Sequence, residues 1–188
     1  MSNASIRRKT KTKIDYYPTP PHVTEALMKY LSGMYHIQDD MCLEPAAGGG
    51  HMSEVLKKYF REVVESDIID HENRKILISN YLEADVEENS VDWVITNPPF
   101  IHAADFALQG IKQSRRGCAM FCRTTFLESQ TRWKKLFSKH APSLVMPFVK
   151  RVNLVEGKIS NTGGSAVSYS WFLWEHEMVG DTRIRWIS

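Results

Sequence analysis

An apolar run, Asp92-Trp93-Val94-Ile95-Thr96, passes directly into Asn97-Pro98-Pro99-Phe100. Two prolines fix the backbone and remove two donors, so the chain leaves a strand stiffly with its carbonyls free. Asn97 sets a carboxamide oxygen, an acceptor, beside them. Two acceptors, the Asn97 side chain and the Pro98 carbonyl, suit a primary amine carried on a flat ring. Accepting both amine protons makes the nitrogen more tetrahedral and frees its lone pair for attack. Phe100 offers a face on which such a ring stacks. The plainer reading, a strand-ending turn with a core aromatic, leaves a second motif upstream unexplained.

That second motif is Glu44-Pro45-Ala46-Ala47-Gly48-Gly49-Gly50, which joins an apolar strand to a helix. Glycines let a ligand approach the backbone, and the helix N-terminus behind them favours anionic groups. Asp67 follows Gly48 by 19 residues and ends the next strand, followed by Ile68. This matches the ~20-residue spacing of an acid that holds a ribose hydroxyl. Asp85, at the end of an expected third strand, is placed to accept from an adenine amino group. Either acid alone reads equally well as a cap or a turn residue. Together and in order they favour an adenosine-type ligand. NAD needs a third glycine in G-x-G-x-x-G, and here His51, Met52 and Ser53 follow the glycines. No G-K-[ST] follows either, which excludes a P-loop. S-adenosylmethionine has no pyrophosphate and needs no such loop; turn backbone and a nearby hydroxyl suffice for its carboxylate and amino groups.

These residues need a scaffold that brings strand ends together. Val23, Ala26, Leu27, Tyr30 and Leu31 stand at offsets of 0, 3, 4, 7 and 8, which predicts an amphipathic helix over 22–31, capped by Thr19 with Pro20 at its first position. A strand over 41–44 precedes a helix whose stripe is Met52, Val55, Leu56, Tyr59 and Phe60. A strand over 62–66, a polar helix from about 71, a weak strand over 81–84 and a strong one over 91–96 follow. A helix over 103–111, a strand over 118–122 and a basic helix over 127–139 come next. Two last strands, 144–149 and 167–174, flank a flexible Asn-Thr-Gly-Gly piece at 161–164. Alternation of strands and helices implies a mostly parallel sheet covered on both faces. The last two strands lack a helix-length connector, so they are expected to pair antiparallel at one edge.

Length and composition bound the rest. A chain of 188 residues, 43% hydrophobic and 24% charged, is of globular proportions and fits one domain. No apolar run reaches the ~20 residues that span a bilayer, which leads to the expectation of a cytoplasmic protein away from membranes. Cys42, Cys118 and Cys122 are too few and of odd number for a disulfide framework. Residues 1–13 hold Arg7, Arg8, Lys9, Lys11 and Lys13 with no acid, against +2 for the whole chain. The body is therefore mildly acidic, and a basic, disordered tail over 1–14 precedes a single domain over 15–188. That tail, the basic helix (Arg132, Lys134, Lys135, Lys139) and the 150–165 segment with Lys150-Arg151 are candidate phosphate contacts. The seven histidines form no ligand cluster, so no metal is expected.

Taken together, Tyr17-Pro18-Thr19-Pro20-Pro21, Leu43 with the 44–50 turn, Asp67, Asp85 and Asn97-Pro98-Pro99-Phe100 make the chain resemble class I S-adenosylmethionine-dependent methyltransferases of the amino-methylating branch. It most resembles DNA adenine-N6 methyltransferases and their short phage-type relatives. The element is shared by guanine-N2 RNA and glutamine-N5 protein methyltransferases, which stay open as targets. The resemblance implies a Rossmann-like α/β fold, a seven-stranded, mostly parallel sheet with an antiparallel edge strand. It implies donor contacts from Thr19, Pro20, Glu44, Pro45, Ala46, Gly48, Gly50, Asp67, Ile68, Asp85 and Asn97, and a catalytic grip from Asn97, Pro98, Pro99 and Phe100. Nucleic acid is the implied partner, DNA ahead of RNA. The chain is expected to have no room for a separate recognition domain, so sequence choice comes from loops, from a partner, or is weak, and a recognition partner or a homo-oligomer is the expected assembly. A donor-binding module that needs such a partner is the remaining alternative.

Overall fold

The computed structural model describes residues 16–159, 166–178 and 180–188. The basic tail and the 161–164 piece lie outside the described residues. Helix α1 (Pro21–Met34) begins with Pro21 in its first turn and buries Val23, Leu27, Met28, Tyr30 and Leu31. The residue flanking its start is Pro20, and Thr19 caps nothing; its hydroxyl is used elsewhere. Strand β1 (Met41–Glu44) leads through the glycine turn to α2 (Ser53–Leu56). The helical path of α2 runs on through turn bonds to Phe60. Strand β2 (Glu62–Asp67) follows.

The next stretch departs from the expected polar helix. A single turn at His71–Asn73 gives way to strand β3 (Leu77–Ile78), and the expected strand over 81–84 is a turn. Asp70 accounts for the difference: its two carboxylate oxygens accept the N–H groups of Arg74 and Lys75, both at 2.8 Å. Such local bonding competes with a helix. Glu72, Asn73 and Lys75 take positive φ, which breaks any helical run.

Strand β4 (Val91–Thr96) is followed by a turn at Phe100–His102 and α3 (Ala103–Gln113). Strand β5 (Ser114–Arg123), a turn at Thr124–Leu127, α4 (Gln130–Arg132) and a wide π-type turn at Trp133–Phe137 come next. Strands β6 (Leu144–Pro147), β7 (Leu154–Val155), β8 (Lys158–Ile159), β9 (Tyr169–Glu175) and β10 (Arg183–Ile184) complete the described chain.

Eight strands of the described residues form one sheet in the order β10-β6-β9-β5-β4-β1-β2-β3, and β7 and β8 form a separate small hairpin. All neighbours in the large sheet pair parallel except β9, which is antiparallel to both β5 and β6. The expected antiparallel pairing of the last strands is present, but the antiparallel strand is interior, and β10 takes the edge as an eighth strand. Every residue of β9 is buried, as an interior strand covered on both faces requires. Side chains alternate across the sheet: Trp93, Ile95, Phe121 and Trp171 pack towards α1, whereas Val94, Met120 and Phe172 pack with Phe106 of α3. The carboxyl ends of the parallel strands all face one side, where the 45–51 and 97–102 turns meet. No helix among the described residues is long and apolar enough to cross a membrane.

Candidate active site

A cavity of about 510 Å³ opens where those turns meet. It is within the size range of small-molecule sites, and topology places it where open α/β sheets bind ligands. Ten of the sequence-derived candidates line it: Thr19, Glu44, Ala46, Gly48, Asp67, Ile68, Asn97, Pro98, Pro99 and Phe100.

The glycine turn is held from below by Asp67. Its Oδ2 accepts the Gly48 N–H at 2.8 Å and its Oδ1 accepts the Ile69 N–H at 3.2 Å, so one carboxylate ties the turns after β1 and β2 together. Each oxygen keeps a second lone pair. Gly48 has φ +52°, and a Cβ there would lie 2.8 Å from Cε2 of Tyr16. Gly49 is likewise pressed by the Tyr16 hydroxyl, against which a Cβ would clash. Tyr16 also stacks on His71, with ring centroids 4.4 Å apart and planes 14° apart. Burial, with Glu72 nearby, raises the Tyr16 phenol above its ordinary value.

Glu44 is the electrostatic oddity of the site. It is 2% exposed, yet lines the cavity, and Ser53 Oγ donates to its Oε2. Burial pushes its carboxyl well above the usual carboxylate range; the Ser53 bond and the more distant Arg74 only partly oppose this. A buried carboxylate with so little compensation is suited to a cationic ligand.

Asn97 is oriented by its neighbours. Its Nδ2 donates to the Tyr17 carbonyl and to Thr19 Oγ1, both at 3.0 Å. The carbonyl accepts only, so the amide nitrogen must face it, and Oδ1 is left as the available acceptor. Phe100, next along, sits in an aromatic group with Tyr17 at 5.5 Å and Tyr169 at 6.2 Å, and Arg123 lies over its ring.

Four candidates do not line this cavity. Pro20 and Pro45 are buried in the backbone turns that shape it. Gly50 has φ +80° and faces away, its missing Cβ giving room to the Arg74 guanidinium. Asp85 lines a different hollow of about 460 Å³ beside α3, with Asp105 and Lys112, because the 81–84 segment is a turn and not a strand ending at the cavity. Tyr16, His71 and Ile101 were missed as lining residues. Tyr16 is the first half of a Tyr-Tyr doublet before Pro18, the one signal that marked it. The basic helix is also altered: Arg132 donates to the carbonyls of Thr125, Phe126 and Glu128, and Lys135 pairs with Asp105.

No family model matches the sequence, and no curated protein matches it. Solved structures do. A protein described as an RNA methyltransferase from Pyrococcus horikoshii superposes with a TM-score of 0.65 at 16% identity, over 89% of this chain and 90% of its own. A protein described as a class I S-adenosylmethionine-dependent methyltransferase from Listeria monocytogenes gives 0.63 at 15% identity, over 90% and 65%. The fold is that of class I methyltransferases. A protein described as a modification subunit of a type I restriction enzyme from Vibrio vulnificus gives 0.63 at 13% identity, over 91% of this chain but 46% of its own. This chain thus spans about half the length of that subunit.

Proposed function

We propose that the chain is an S-adenosylmethionine-dependent N-methyltransferase that acts on an exocyclic amino group of a nucleobase, adenine N6 in DNA first. The observation that carries this reading is the orientation of Asn97. Both of its amide hydrogens are held by Tyr17 and Thr19, so its oxygen stands as a fixed acceptor beside Pro98 in a cavity.

The residues fit the cofactor. Glu44, buried and undercompensated, suits the ammonium of the methionine part, and the glycine turn beside it lines the same cavity. Thr19 and Ala46 flank that part, Asp67 has lone pairs for ribose hydroxyls, and Ile68, 53% exposed, offers an apolar face to the adenine. When bound, S-adenosylmethionine supplies an electrophilic methyl group on a sulfonium.

The chain's own part is positional. Asn97 Oδ1 and the Pro98 carbonyl accept the two hydrogens of the amine and direct its lone pair. Phe100 and the diproline turn exclude water from the nitrogen. After transfer the surplus proton sits on the alkylated nitrogen, where it is strongly acidic, and it is lost to solvent as the product leaves the cavity, so no strong general base is needed. A base in a duplex reaches such a cavity only by leaving the stack.

RNA guanine N2 is the second reading, favoured by the superposition over 90% of a protein described as an RNA methyltransferase. Mass spectrometry of nucleosides after reaction with duplex DNA and with RNA separates the two. Asn97→Ala is expected to lose about 100-fold or more in transfer rate while binding the donor normally. Unchanged transfer removes the assignment.

A further inference from the structure

Arg123 ends β5 and is exposed, and its guanidinium carbon lies 4.6 Å from the centre of the Phe100 ring. Arginines elsewhere along the sheet are engaged differently, and Arg185 lies over the Tyr30 ring. Arg74, Arg115, Arg116 and Arg183 each pair with a carboxylate, and Arg132 donates to three carbonyls. Among the described residues Arg123 has no carboxylate or carbonyl partner, only the ring beneath it. Its N–H groups therefore face solvent one ring away from the cavity. Ile101, next to Phe100 in the chain, lines the cavity and is 84% exposed.

We infer that Arg123 is a substrate-binding residue that takes a backbone phosphate flanking the nucleotide whose base enters the cavity. The inference rests on the nucleobase reading above. A base whose amine sits at Asn97 leaves its sugar and phosphates at the outer lip, where Phe100 and Ile101 stand. A planar guanidinium stacked on Phe100 is held in place by that ring, so little rotamer freedom is lost when its fork closes on an anion. Ile101 gains cover from the sugar. The same contact steadies the Phe100 ring on which the base stacks.

A purely structural stack makes different predictions, and salt separates them. Each phosphate contact releases condensed counterions, so its loss lowers the slope of log affinity against log salt by about one. The experiment measures initial rates of methyl transfer from labelled donor to plasmid DNA and, in parallel, to ribosomal RNA, from 50 to 200 mM salt. Wild type, Arg123→Gln and Arg123→Lys are compared. For whichever nucleic acid the wild type methylates, Arg123→Gln is expected to raise KM about tenfold at low salt and flatten the salt slope by about one, with donor affinity unchanged. Arg123→Lys keeps the charge and the slope. If Arg123→Gln lowers kcat alone with KM and slope intact, Arg123 only props the ring and the inference fails. If KM, kcat and slope are all unchanged, it fails outright. If the wild type transfers methyl to neither nucleic acid, the nucleobase reading itself falls.

Discussion

Glu44 and Asn97 both line the cavity, and their surroundings set them opposite tasks. Asn97 has its donors satisfied and its acceptor left over. Glu44 has a charge that burial disfavours. A carboxyl with a raised pKa in the folded state binds its proton more tightly there than in the unfolded chain. Its contribution to stability is full below the ordinary carboxylate value of about 4.3 and is lost as pH rises from there through the raised folded value. Glu44→Gln removes that loss. The variant without donor is expected to melt higher than wild type at pH 8 and no higher at pH 4, in parallel thermal scans. Under the proposed function it binds the donor more weakly, because a neutral amide offers no countercharge to an ammonium. A variant that melts lower at pH 8 would mean that Glu44 is ionised and satisfied by Ser53 and Arg74 alone.

At the scale of elements, the strands bearing the chemistry were legible because they are apolar and buried. Met41–Glu44 and Val91–Thr96 stand where periodicity puts them, and the motifs after them share one cavity. The 71–84 stretch departs from its hydrophobic pattern because Asp70 bonds to the backbone just after it, a competition such a pattern does not show. Asp85 was lost with it. The expected basic helix over 127–139 breaks into α4 and a wide turn after Ser129, whose φ is +100°. β10 is two exposed residues, too short to leave a pattern. Contacts across elements are equally hidden. Gly110 of α3 lies against the sheet, and a Cβ there would come 2.6 Å from Cys118 Sγ and 3.2 Å from both Met120 Cε and Val94 Cγ1. In an open helix, glycine to alanine gains up to ~1 kcal/mol. Here overpacking of ~1–3 kcal/mol wins. Gly110→Ala is expected to lower the urea midpoint, whereas Gly33→Ala in α1, with nothing within 4 Å, raises it. Equal shifts for the two would mean that α3 moves freely against the sheet.

Across the whole molecule the two ends of the sheet differ in kind. The end with the cavity holds loops and glycines. The other holds a buried polar cluster that locks distant parts of the chain together. Glu175, at the last position of β9 and 4% exposed, accepts from Tyr30 Oη of α1 at 3.0 Å, Tyr35 Oη at 2.8 Å and Ser143 Oγ at 2.7 Å, with Arg183 of β10 at 3.4 Å. Beside it Asp40 accepts from Trp93 Nε1 at 2.9 Å and Arg116 Nη1 at 2.6 Å, and Arg116 lies over the Tyr35 ring. These bonds join residues up to 145 positions apart, so they form only when the fold is complete. Glu175→Ala strands three buried or half-buried hydroxyls and an arginine, a loss of about 3 kcal/mol. For a chain of this size that lowers Tm by about 6–12 °C. Donor affinity measured well below the melting range is expected to stay within about twofold of wild type, because nothing in this cluster touches the cavity. A Glu175→Ala protein that melts normally but binds the donor poorly would show that the two ends of the sheet are coupled, and that the cavity is shaped from beneath as well as by its own turns.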